Sequence, residues 1–263
     1  MRLPFFTRGP KYFLAAEYWL YMPYSKLPPQ AAYLNRMMNM NPFEPGKPPP
    51  CGPEEGLVFS DIRFHMGLVL REKNIHVFRP DLFEPHVEPF PEALSTLADC
   101  NAMVKLRYIS EQPVHDLRHL SFLVYLLEAI SNLTRGTIAF DSISERLFRV
   151  EDLRDQLRQD ENARRQDLHL RTIWTRLPQG GQVETRGLRK VGVPELETLP
   201  VSEDHQVLAT AIIDAAADQL WASRTLVETL KVQAFEDEFE LVFKHSRNGP
   251  SQVRILRLHS AKA

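Results

Sequence analysis

Apolar and polar positions along the chain follow two periods, and their alternation sketches most of the elements. Residues 57–70 and 74–79 are rich in apolar and β-branched side chains and predict strands, with polar residues 71–74 turning a hairpin between them. A loop of prolines and acids, residues 80–90, leads to Pro91 as the first residue of a short helix ending near Cys100. A strand, MVKLRYIS, starts at Met103. Pro113 then opens a helix in which Leu117, Leu120, Val124, Leu127 and Ile130 keep helical spacing, with Gly136 just past its end. Residues 138–140 and 146–148 predict a small hairpin. A helix over 150–159 follows, with Glu151 and Asp152 at the positive end of its dipole. A strand spans 168–177. After a compact turn region, a helix over 203–221, capped by Ser202, buries Val207, Leu208, Ala211, Ile212 and Ala215. Two last strands, 234–244 and 252–259, turn at Arg247-Asn248-Gly249-Pro250. This irregular alternation predicts an α+β fold with a mixed or antiparallel sheet and packed helices.

The compact region between the strand over 168–177 and the helix over 203–221 is residues 180–201, GGQVETRGLRKVGVPELETLPV. Gly180 and Gly181 break the preceding strand, since a Gly pair turns at little steric cost. Thr185 is expected to cap a short helix, with Leu188 and Val191 inward, Gly192 in the left-handed position past its end, and Pro194 barring continuation. Residues 195–201 alternate as a half-buried strand does.

This stretch also carries a likeness. Thr185-Arg186-Gly187-Leu188 and Gly192-Val193-Pro194-Glu195-Leu196-Glu197, with GTIAFDSISERLF at 136–148 upstream and Val150 to Leu157 after it, resemble a bacterial family, domain of unknown function 4261. The resemblance covers about residues 103–221. It implies a strand, hairpin and helix arrangement and names no chemistry, ligand or catalytic residue.

The first 56 residues differ from the rest. They hold 11 of the 20 prolines, including Pro48-Pro49-Pro50, yet also Tyr12, Phe13, Tyr18, Trp19, Tyr21, Tyr24 and Tyr33. Disordered segments are usually poor in aromatics. Residues 12–21 predict a strand, 28–40 a short helix ending in Met37, Met38 and Met40, and 41–56 a stiff polyproline-like connector. The expected organisation is therefore a Pro- and aromatic-rich N-terminal arm (1–56) and an α+β domain (57–263). The arm folds onto its own domain or docks on a protein partner or second subunit. In the second case Tyr18, Trp19, Tyr21, Met37, Met38 and Met40 are the docking residues, because aromatic rings bring large apolar area and Met moulds to irregular surfaces.

Composition narrows the classes of function. With 263 residues, 43% hydrophobic and 25% charged, the chain reads as a globular protein. A net charge of −2 argues against a general nucleic-acid binder. No apolar run reaches the roughly 18 residues of a membrane span, and Pro10 and Lys11 interrupt any apolar core of a signal. Two cysteines, Cys51 and Cys100, are too few for a disulfide scaffold and are expected unpaired. The expected location is cytoplasmic.

Three chemical candidates remain. His115 and His119, four apart on the expected helix around Asp116, have the spacing of two histidine ligands of a zinc hydrolase; but Asp is shorter than the glutamate that chemistry uses, and no third ligand is indicated. A solvated or capping role is the expectation for both, with no metal and no cofactor. Arg186, Arg189 and Lys190 at a helix start could hold a phosphate or carboxylate, unless Glu184, Glu195 or Glu197 pair with them. No serine sits in a nucleophile elbow, and neither cysteine has a histidine beside it in sequence. The acidic run 236–238, between Phe235 and Phe239, reads as a solvated strand edge. The balance favours a non-catalytic interaction or structural protein, a subunit or accessory factor of a bacterial assembly. A metal-dependent hydrolase and an anion- or nucleotide-binding protein are the alternatives.

Overall fold

The computed structural model of the chain describes residues 13–44, 46–83, 90, 92–160, 162–246 and 249–257. Tyr12, Pro91, residues 84–89 of the acidic loop, Arg247 and Asn248 of the last turn, and residues 258–259 of the last expected strand lie outside them. Among the described residues no helix is long and apolar enough to cross a membrane. The fold is α+β with two sheets, one antiparallel and one mixed.

The chain divides into two compact units. One comprises 15–110 with 114–165; the other gathers 1–14, 111–113 and 166–263. The expected boundary at residue 56 therefore falls inside a unit.

In the first unit, strands β1 (Leu14–Met22), β2 (Phe64–Leu70), β3 (Ala102–Ser110), β4 (Ile138–Asp141) and β5 (Arg146–Arg149) form one sheet in the order β2-β3-β1-β4-β5. The sequence LAAEYWLYM explains why β1 takes the middle: nearly every side chain is apolar, so it tolerates cover on both faces, and all nine residues are buried. Helices α1 (Gln30–Asn39), α2 (Pro53–Gly56), α3 (Ala93–Ala98), α4 (Arg118–Thr134) and α5 (Val150–Gln159) complete the unit. α4 reads LSFLVYLLEAIS through its middle and is buried all round, as a helix without a polar face must be. It ends at Arg135 in a left-handed conformation, with Gly136 passing tightly beneath the backbone of Tyr21.

Several expected elements move for local reasons. Residues 57–60 and 75–78 form 3-10 turns rather than strands, and β2 pairs with β3 instead of with a hairpin neighbour. The turn at 75–78 delivers Phe78, which with Phe83 packs edge-on to Tyr21 at ring distances of 5.5 and 5.6 Å. α4 starts at Arg118, five residues after Pro113, because Asp116 accepts the Arg118 N–H at 2.9 Å and sets the entry turn.

In the second unit, β6 (Arg171–Leu177), β7 (Gly180–Arg186), β8 (Leu196–Thr198), β9 (Thr229–Ala234), β10 (Asp237–Lys244) and β11 (Ser251–Arg257) lie in the order β6-β7-β8-β11-β10-β9, with β8 parallel to β11. α6 (Gln206–Ser223) covers one face through Ala209, Ile212, Ile213, Ala216, Ala217 and Leu220. This corrects the expected face: Val207 is exposed, and the burial spacing starts at Ala209, so small alanines meet the sheet one step round the helix. The single strand expected over 234–244 is a hairpin. Phe235, with positive φ, and Glu236 turn between β9 and β10, and the acidic run is that turn and the start of β10.

Candidate functional site

The docking residues expected in an arm are core residues. Tyr18, Trp19 and Tyr21 lie in central strand β1 and are buried. Trp19 Nε1–H donates to Glu17 at 2.7 Å, and the Tyr21 hydroxyl donates to the Val77 carbonyl at 2.8 Å. Met37 is buried on α1, Met38 is half-buried, and only Met40 is exposed. The described part of the arm is thus spent on its own sheet and helix, because the aromatic residues are what make β1 apolar enough to be central. A docking role for Tyr18, Trp19, Tyr21 and Met37 has no accessible surface to act through.

The anion site expected at Arg186, Arg189 and Lys190 is filled from within. The expected helix is a single 3-10 turn, Leu188–Val191, preceded by Gly187 rather than capped by Thr185. Its open N–H groups meet Glu195: Gly187, Leu188 and Arg189 donate to the carboxylate at 2.8, 3.2 and 3.2 Å, and the Thr185 hydroxyl donates at 2.9 Å. Burial pushes the Glu195 carboxyl up from its ordinary value, against the pull of these four donors. Lys190 is fully buried and donates to the His169 carbonyl at 2.9 Å, while Arg186 pairs with Glu184 at 2.9 Å. The charges that suggested a ligand site are an internal lock. Gly192 does adopt the left-handed conformation, φ 82°, under the Phe13 ring, and a Cβ there would lie 2.6 Å from a ring carbon. Gly192→Val should therefore cost at least about 1 kcal/mol; an unchanged melting temperature would contradict this end to the turn.

The histidine pair is not a pair. His115 sits in the loop before α4 and is exposed, whereas His119 is buried in the first turn, stacked on Tyr108 at 4.6 Å. They share no helical face, and of the solvated or capping role expected for both, solvation fails for His119. Around it lies a polar knot: Tyr108 donates to Asp61 at 3.1 Å, and Arg63 binds both oxygens of Asp61 and approaches the Tyr108 ring. The Arg63 hydrogen bond is the main reason that the Asp61 carboxyl sits below its ordinary value. Among the described residues no cluster of three or more His, Cys, Asp or Glu could hold a metal. Both thiols are buried: desolvation pushes Cys51 up to about 12 and Cys100 up to about 11, so neither offers a thiolate at neutral pH.

An open cleft of about 460 Å³ lies in the first unit, lined by residues including Glu92, Thr137, Arg149, Glu151 and Arg154. Its arginines are engaged. Arg149 pairs with Glu92 and covers the Phe90 ring, and Arg154 donates to buried Glu128 at 2.9 Å and to Ser131 at 3.2 Å. Glu128 is also held by Arg36 at 2.9 and 3.2 Å, so one carboxylate of α4 ties α1 and α5 to it.

The remaining feature is an edge. β2 reads FHMGLVL, with no Lys, Arg, Asp, Glu or Pro, and among the described residues pairs on one side only, with β3. Ile62, just ahead of it, is almost fully exposed, and Leu68 is more than a third exposed. Edge strands normally carry charges, prolines or bulges that deter pairing, and the flanking Arg63 and Arg71 are engaged within the chain, the former with Asp61 and the latter donating to the carbonyls of Leu97, Ala98 and Cys100. A seven-residue stretch without charge, between two arginines, was readable in the sequence; that it would be an edge was not.

Comparisons with protein-family models, with curated proteins and with solved structures found no match.

Proposed function

We propose that the protein works by binding another protein chain, as a subunit or accessory factor of an assembly, and that the contact is the open edge of β2. The uncharged, one-sidedly paired strand FHMGLVL carries this reading, since main-chain groups at a bare edge accept an added strand directly. It replaces the arm as the contact surface. The engagement of both cleft arginines and the high thiol pKa values support a binding role over catalysis. We take that assembly to be bacterial, in line with the resemblance to domain of unknown function 4261, and cytoplasmic, in line with the two unpaired cysteines.

Leu68→Pro tests it. The backbone ladder runs through odd positions, with Ile109 N–H donating to Arg63 and Arg71 N–H donating to Asn101, so the Leu68 N–H points away from β3. Proline there removes an edge donor without removing a β2–β3 bond. In extracts of the native cells, the wild-type chain should migrate above its own 30.4 kDa. Leu68→Pro should migrate alone, with an unchanged circular dichroism spectrum. Identical migration of the two at the monomer mass would overturn the proposal.

A further inference from the structure

The edge specifies more than a strand-shaped partner. Resting on the edge-binding reading above, we infer that β2 pairs with β2 of a second copy of this chain, antiparallel, about a twofold axis at Gly67. The alternation just described sends the N–H and C=O groups of Phe64, Met66, Leu68 and Leu70 to the open side. Two of these groups are already used inside the chain: Phe64 N–H donates to the Asp61 carbonyl at 2.9 Å, and Asn74 Nδ2 donates to the Leu70 carbonyl at 3.2 Å. An antiparallel pairing centred on Gly67 sets Phe64 opposite Leu70 of the second copy and Met66 opposite Leu68. In that register the donor and acceptor already spent are each other's partners. Every other outward group finds a mate, for about six hydrogen bonds across the axis. Sliding the register by two residues sets a spent group against a live one and leaves live groups unpaired.

The side chains agree with the same axis. Phe64 packs on Phe122 of α4 at 5.2 Å, so the even positions of β2 lie on the helix-bearing face. Pairing about Gly67 continues that face with Met66 against Leu68 and Phe64 against Leu70, all apolar. On the other face His65 meets Val69, and Gly67, with nothing within 4 Å of where a Cβ would stand, meets itself. No charged residue of the strand opposes a like charge. Just beyond it, Arg63 and Arg71 would approach each other across the axis, and both are tied back as described, to Asp61 and to three carbonyls. An isologous contact of this kind closes on itself and does not propagate into fibres.

The test uses the full chain and single cysteines at the edge. Gly67 would sit in a non-hydrogen-bonded pair, with its Cα about 4.5 Å from its mate, inside the range of a disulfide. Gly67→Cys should form a disulfide-linked dimer under mild oxidation. Val69→Cys, which faces His65, should not. The native Cys51 and Cys100 are buried and give no background. By light scattering the wild type should run at twice 30.4 kDa, and Leu68→Pro should weaken the dimer roughly 100-fold while remaining folded. A wild type that stays monomeric to roughly 100 μM, or a dimer locked by Val69→Cys and not by Gly67→Cys, overturns the self-pairing. If the pure chain is monomeric but still joins a larger complex in native extracts, lost in Leu68→Pro, self-pairing falls and the edge-binding function stands. If neither complex forms, both fall.

Discussion

Glu195→Ala is expected to destabilise the second unit by about 3 kcal/mol or more, the largest loss of any single substitution in the stretch 180–201. The carboxylate is the common acceptor for three backbone N–H groups and the Thr185 hydroxyl, all in a buried site. Removing it leaves these donors without water or partner, at about 1–3 kcal/mol for each group that cannot relax. Glu195→Gln is expected to recover little, because its amide nitrogen would confront donors with a donor. Urea unfolding followed by tryptophan fluorescence reads the effect, since Trp221 stacks on His169 in the same unit. A midpoint within error of the wild type would show that the four contacts contribute nothing, and the account of the 3-10 turn would have to be abandoned.

Glu128→Ala is expected to cost the first unit about 3 kcal/mol, at the low end for breaking a buried ion pair because Arg36 and Arg154 keep part of their surface in water. The carboxylate is 2% exposed and both arginines converge on it, so its loss strands two cations at the junction of α1, α4 and α5. Replacing Arg36 and Arg154 with Met in the Glu128→Leu background is expected to restore much of the stability, since the desolvation of the cluster is relieved with it. Chemical denaturation of the single and triple variants decides: a triple variant no better than Glu128→Ala would mean that packing, and not stranded charge, sets the cost.

These two carboxylates show where a linear reading runs out. In the sequence Glu195 reads only as a pairing partner for Arg186, Arg189 or Lys190, and nothing in the linear pattern marks Glu128, because burial of a charge is decided by what converges on it from distant positions. Arg36 is 92 residues from Glu128 in sequence. The left-handed turn at Gly192 was legible because it is local: a glycine followed by Val-Pro permits little else. β3, the hairpin β4–β5 and α5 were legible for the same reason, their periodicity being carried within a few residues. The 3-10 turns over 57–60 and 75–78 were not, since their apolar content is that of strands and only their packing against the sheet distinguishes them.

The aromatic residues of the N-terminal segment mark the boundary most plainly. Their number, in a nearly continuous apolar run, marked 12–21 as a strand with a large apolar area to bury. Neighbours on both sides, β3 and β4, come from more than 80 and 110 residues further along, so only the tertiary structure decided that this strand is the centre of a sheet rather than an arm. For β2 the order is reversed. Its lack of charge was written in the sequence, but a strand's edge is defined by the absence of a neighbour, and that is a property of the assembled sheet alone.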